Sequence, residues 1–277
     1  MHSSLKLPFA ILCAVPFIMV LGNSMLIPLL PKMRAAMDLN LVEVGLLITA
    51  FSLPAGFTIP FAGFLSDRTS RKLVMAPALV IYGLGGLLAG LAALFMASPY
   101  YLILGGRVIQ GFGAGGTYQL AMALTGDIFQ TKERTKALGL LEASNGLGKV
   151  VSPVAGASLG LIGWFTPFFA YGFLAIPIGI AVWLMVKEPR QESKKQLTLT
   201  QYFATVKEIF RKKGVSLLGC FLSGMMVLFI LFGVLSFVSD VLEARYHITG
   251  LTMGLLIAIP VSAMTLTSYL NNLLLAY

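Results

Sequence analysis

Glu142, Asn145 and Lys149 stand at i, i+3 and i+7 within a mainly apolar run, so a helix there carries a carboxylate, a carboxamide and an ammonium on one stripe. At 1.5 Å rise per residue Glu142 and Lys149 lie ~10 Å apart along the axis, which is long for a direct ion pair, and Asn145 is placed to bridge them. A desolvated carboxylate can hold and release a proton near working pH, and an ammonium at similar depth draws in anions. Arg107 and Gln110 share a face of a second apolar run. An Arg at mid-membrane costs at least ~2.5–3.5 kcal/mol on insertion scales and faces a cavity or a partner. Two readings stay open for each group. Glu142 is a proton carrier or a solvated acid near a cavity mouth. Arg107 faces a cavity or clamps one helix to another. Asn23 lines a cavity or satisfies neighbouring polar groups.

These side chains need an apolar scaffold, and the composition supplies one. Of 277 residues, 57% are hydrophobic and 11% charged, against about 25% charged in a soluble domain. The mean hydropathy is +0.88. Apolar runs at 8–30, 41–63, 73–96, 100–127, 137–161, 165–186, 214–238 and 250–274 are each long enough to cross ~30 Å of hydrocarbon. The chain reads as an all-α polytopic membrane protein. The first run is too long for the apolar part of a cleavable signal and lacks a clear cleavage site.

The net charge of +9 does not point to nucleic acid, because its distribution follows the loops. Lys6, the group Arg68, Arg71, Lys72, the group Lys132, Arg134, Lys136, and a cluster running from Lys187 to Lys213 all fall on one side of the membrane in this span order. Lys32, Arg34 and Arg245 fall on the other. Basic loops stay inside, so the N-terminus is expected in the cytoplasm. Cys13 and Cys220 lie within spans, and His2 and His247 outside them. No disulfide framework, metal site or cofactor is expected. No nucleophile–base pair marks an intramembrane enzyme, and no Gly-rich nucleotide loop marks an ATP-driven pump.

Three segments are expected: 1–187, a six-span bundle; 188–213, a cytoplasmic linker; and 214–277, two further spans. Within the linker, Leu199, Tyr202, Phe203, Val206 and Phe210 recur near helical spacing, as in a surface helix. Val44-Gly45-Leu46-Leu47-Ile48 and Met253-Gly254-Leu255-Leu256-Ile257 open two spans alike, each followed by a proline, Pro54 and Pro260.

Four motifs fall in order. The loop Gly63-x-Leu65-x-Asp67-Arg68-x-x-Arg71-Lys72 joins spans two and three. Leu21-Gly22, Pro28 and Pro31 mark span one, and Arg107-x-x-Gln110-Gly111-x-Gly113 marks span four. Gly139, Gly148, Ser152, Pro153 and Gly156 mark span five, where small residues every four positions let another helix approach closely. Together these resemble the major facilitator superfamily, and within it the twelve-span drug:proton antiporters. Ser70 replaces a glycine usual in the loop motif. The stretch Ser144–Val150 is similar to exporters of Bacillus-type bacteria for catecholate siderophores.

The resemblance implies a complete six-helix N-terminal half plus the first two helices of a second half, truncated after eight spans. It implies export of a small organic compound, drug-like or siderophore-like, by proton antiport with alternating access, across a bacterial cell membrane and by a monomer. Asn23, Arg107, Gln110, Glu142, Asn145 and Lys149 are the expected substrate and proton pathway. Gly63, Asp67, Arg68 and Arg71 are expected to gate, with Asp127 paired to Arg68 or Arg71. A membrane scaffold that does not transport is the alternative.

Overall fold

In the computed structural model, residues 3–129, 131–189 and 199–275 are described, and they are helical apart from short connections. The first span is α1, Ser3–Ser24, followed by a 3-10 turn, Ile27–Leu29, and α2, Leu30–Met37. Pro28 and Pro31 each stand at the first positions of the element they open. There a missing N–H costs nothing, so the first-span prolines mark where the helix breaks and restarts. The helix α3, Leu41–Arg68, begins with a capping box: Glu43 N–H donates to Asn40 Oδ1 at 2.9 Å, and Asn40 N–H to Glu43 Oε2 at 2.8 Å. Next come α4, Arg71–Phe95, and a fourth span broken into α5, Tyr100–Gly115, and α6, Tyr118–Ile128. Then follow α7, Thr131–Leu159; α8, Thr166–Met185; α9, Leu199–Tyr246; and α10, Gly250–Leu275.

Six helices among the described residues are long and apolar enough to cross a membrane, where eight spans were expected. The two that differ have local causes. The fourth span is interrupted at Gly116–Thr117, so neither half is long enough alone. The fifth, α7, has 29 residues, but its charged first turns and polar stripe lower its hydropathy. The seventh span also differs. The expected surface helix and span are both present within α9 as two helical stretches that meet at a kink at Lys213 (φ −128°, ψ 17°), the second running to Tyr246 rather than 238. Arg190, Lys194 and Lys195 of the linker lie outside the described residues, as do the side chains of Lys132, Leu199 and Phe203.

The contacts divide the chain into two units: Met1–Pro189 with Ser239–Tyr277, and Arg190–Val238. This grouping differs from the three expected segments because α10 packs along α7 and joins the first bundle. Within that bundle α4 lies against α5 and α8, α3 against α5, and α7 against both α1 and α10. Glycines set close crossings. A Cβ on Gly85 would lie 2.6 Å from Gly106 O, and one on Gly106 2.7 Å from Gly85 O, so α4 and α5 touch backbone to backbone. Tyr82, Phe168, Tyr171, Leu26 and Met33 fill the core around them. The outer faces are apolar, with Leu53, Phe57 and Phe61 of α3 and Leu174, Ile180 and Leu184 of α8 exposed, as hydrocarbon solvent allows.

Candidate functional site

Arg107 is fully buried on α5 and meets its donors' needs without a carboxylate. Its Nε donates to Leu47 O at 3.0 Å, and Nη1 to Gly22 O at 2.8 Å and Gln110 Oε1 at 2.6 Å. Its Nη2 donates to Asn23 Oδ1, and the guanidinium sits 4.6 Å from the centre of the Phe51 ring. Asn23 in turn donates from Nδ2 to Ser52 Oγ at 3.4 Å. These contacts tie α1, α3 and α5 together. A low-dielectric surround strengthens each of these bonds. Gly22 and Gly111 serve the same purpose: a side chain on Gly22 would strike Tyr82, and one on Gly111 would strike Phe51 O. Arg107 is therefore enclosed by carbonyl oxygens of α1, α3 and α5 and by the Phe51 ring, and among the described residues no hydrogen bond joins it to Glu142.

Glu142 is exposed on α7 and accepts a hydrogen bond from the Tyr118 hydroxyl of α6. Tyr118 is absent from the expected pathway, and no spacing rule joins residues on two helices. Asn145 is buried and Lys149 half-buried on the same stripe. Among the described residues no hydrogen bond or ion pair joins Asn145 to Glu142 or Lys149, so the expected bridge is not formed. Lys149 has no anionic partner among them.

The small-residue face of α7 packs against α1. A Cβ on Gly148 would lie 3.1 Å from Phe17 O, and one on Gly156 would strike Met25 O. Ser152 is buried and returns its hydroxyl to Gly148 O at 2.6 Å, while Ser144 Oγ donates to Cys13 O of α1 at 2.6 Å. The opposite side of α7 meets α10: a Cβ on Gly254 would lie 2.7 Å from Pro153 O. Gly139 was expected in the packed face and is not. It is exposed, with nothing within 4 Å of an added Cβ, because it stands before the stretch that crosses α1.

At the basic end of the bundle, Arg71 Nε lies 2.8 Å from Asp127 Oδ2, joining α4 to α6. Arg68 stacks over the Phe64 ring at 4.4 Å. Asp67 is exposed, and Gly63 has open space around an added Cβ. A residue missed by the sequence reading completes this end. Glu188, just beyond α8, accepts Arg71 N–H at 2.9 Å, Lys72 N–H at 3.1 Å and the Ser70 hydroxyl. Ser70 Oγ also accepts Leu73 N–H at 3.3 Å. The serine that replaces the usual loop glycine is thus the N-cap of α4, and a carboxylate sits at the positive end of that helix. At the opposite end Arg34 Nη1 of α2 lies 3.4 Å from Asp240 Oδ2 of α9.

The sequence matches the family profile of the Major Facilitator Superfamily over residues 12–275. The chain belongs to this superfamily. It is 40% identical over 261 residues to the Bacillibactin exporter of Bacillus subtilis (strain 168), covering 94% of this chain and 65% of that protein. It is 31% identical over 194 residues to Multidrug resistance protein 2 of the same organism, covering 70% of this chain and 47% of that protein. The chain thus spans less than two thirds of the length of these relatives. Among solved structures, a bacterial homologue of the human lysosomal transporter Spinster superposes with TM-score 0.80 at 19% identity, covering 99% of this chain and 63% of that one. A D-xylose–proton symporter superposes with TM-score 0.68 at 17% identity, covering 94% and 66%. The fold is that of a multi-pass membrane protein of the superfamily, and its relatives are transporters.

Proposed function

We propose that this protein exports a small organic compound across the bacterial cell membrane in exchange for protons. Glu142 is the proton-carrying carboxylate and Lys149 the cation that meets the substrate. The observation that carries the reading is the α7 stripe: an exposed carboxylate and a half-buried ammonium without an anionic partner among the described residues, on a helix packed between α1 and α10. An unpaired cation at that depth is costly unless an anion or water fills its side. An anionic, hydroxyl-rich compound such as a siderophore fits that chemistry, and the likeness to the Bacillibactin exporter points the same way. Arg107 contributes positive potential but, being enclosed by carbonyls, makes no direct substrate contact.

Alternating access requires the bundle to stay intact while its contacts with a second half change. Arg71–Asp127 and Glu188 brace the basic end within the first bundle, and Asp67 remains exposed for a partner on the moving half. The basic loops at that end support a cytoplasmic position for it and for the N-terminus.

The test is uptake into everted membrane vesicles from cells expressing the complete reading frame that contains this sequence. The probes are 2,3-dihydroxybenzoate, a simple catecholate, and ethidium, a lipophilic cation. Lys149→Ala is expected to lower catecholate uptake at least tenfold and to change ethidium uptake by less than twofold. Equal catecholate uptake in both proteins contradicts the role given to Lys149.

A further inference from the structure

We infer that the basic end of the first bundle carries a binding site for an anionic phospholipid. There α1, α6 and α8 leave a cavity of about 210 Å³ between them. It is lined by Phe9 and Leu12 of α1, Ile128 and Phe129 at the end of α6, Met185 at the end of α8, and Lys187 just beyond it. The apolar floor is fixed: Phe9, Leu12 and Phe129 are buried, and the Phe9 and Phe129 rings meet edge to face with centroids 5.2 Å apart. The rim is open, since Met185 and Lys187 are exposed. None of Glu142, Asn145 and Lys149 lines this cavity, so it is distinct from the α7 stripe.

The position of the cavity identifies an occupant with a hydrocarbon chain. Leu184 and Met185 belong to the exposed apolar face of α8, so the cavity is an inlet of the surface that lipid chains cover. Trp183 is half-exposed in the last turn of α8, and Lys187 is the first residue past the helix's C-cap, Val186. A Trp followed by a Lys marks a helix end at headgroup depth. A chain that enters the inlet there leaves its headgroup beside the Lys187 ammonium.

Charge identifies the headgroup. Lys187 stands at the rim, and Lys6, three residues before Phe9, is exposed on the same face of α1. The acids beside the lining residues in sequence are Asp127 and Glu188, and both are engaged elsewhere. Asp127 pairs with Arg71, and Glu188 accepts the first N–H groups of α4 and the Ser70 hydroxyl. Asp67 on α3 and Glu133 on α7 do not line the cavity. Among the described residues no ion pair joins Lys187 or Lys6 to an acid. An apolar inlet with a cation at its mouth matches an acyl chain joined to an anionic phosphodiester, as basic pockets between membrane helices do. A lipophilic cation is repelled by the same lysines, and a zwitterionic headgroup gains little from them.

The test is native mass spectrometry of the purified protein from the complete reading frame, delipidated in detergent and given equal amounts of dioleoylphosphatidylglycerol and dioleoylphosphatidylcholine. The first lipid retained is expected to be the phosphatidylglycerol, with a preference of about fivefold. Lys187→Ala is expected to bring that preference below twofold, and Lys187→Arg to keep it. Lys136→Ala removes an exposed cation at the same end that does not line the cavity, and is expected to keep it too. Ile128→Phe, which fills the inlet, is expected to lower retention of the first phosphatidylglycerol at least threefold. Free glycerol phosphate in large excess is expected to displace none, because it lacks the chain. No preference in wild type, equal loss in Lys136→Ala and Lys187→Ala, unchanged retention in Ile128→Phe, or displacement by glycerol phosphate each overturns the inference.

Discussion

Arg107 and Gln110 share a face by spacing alone, but the acceptors that define Arg107 are backbone carbonyls 60 and 85 positions away in sequence. Pattern reading finds an Arg in an apolar run; it does not find which helix turns its carbonyls inward. The same holds for Glu142, whose partner Tyr118 is 24 positions away on another helix. Spacing pointed to Asn145 and Lys149 instead, because it sees only residues on the same element. Removing Arg107 strands buried acceptors, each of which costs ~1–3 kcal/mol. Arg107→Leu is therefore expected to lower the thermal midpoint of the detergent-solubilised protein by several degrees, followed by size-exclusion fluorescence. Arg107→Lys keeps the charge but not the planar fork, and is expected to recover less than half of the loss.

Helix ends and helix faces carry the next level. The loop motif was legible as a charge-rich joint between α3 and α4, and the resemblance left Asp127 to pair with Arg68 or Arg71; the structure pairs it with Arg71. Glu188 was not legible, since a carboxylate after the sixth span has no local reason to cap the third. Loss of a capping side chain costs ~1 kcal/mol. Glu188→Ala is expected to speed amide hydrogen exchange at Arg71, Lys72 and Leu73 at least fivefold while leaving α3 unchanged. The small residues of α7 separate in the same way. Gly156→Leu drives a side chain into the Met25 backbone just beyond α1 and is expected to abolish folded yield, whereas Gly139→Ala meets open space and is expected to leave yield within 20% or so of wild type. Similar loss in both would show that the α1–α7 contact does not decide the requirement for glycine.

For the whole molecule, composition and the order of apolar runs were sufficient for an all-α membrane bundle, and four motifs in sequence for its superfamily. The broken fourth span escaped a hydropathy reading because Gly116 and Thr117 do not interrupt the apolar run; only backbone geometry reveals the interruption. The contact of α10 with α7 escaped it for a related reason: no local pattern joins Gly254 to Pro153, a hundred or so positions away. The central claim is that these elements carry out proton-coupled export through Glu142. Its most direct test is proton flux driven by 2,3-dihydroxybenzoate in proteoliposomes that contain the protein from the complete reading frame. Wild type is expected to move protons only when the catecholate is present, and Glu142→Gln to move none above the protein-free background. Equal catecholate-driven proton flux in Glu142→Gln and wild type would contradict it.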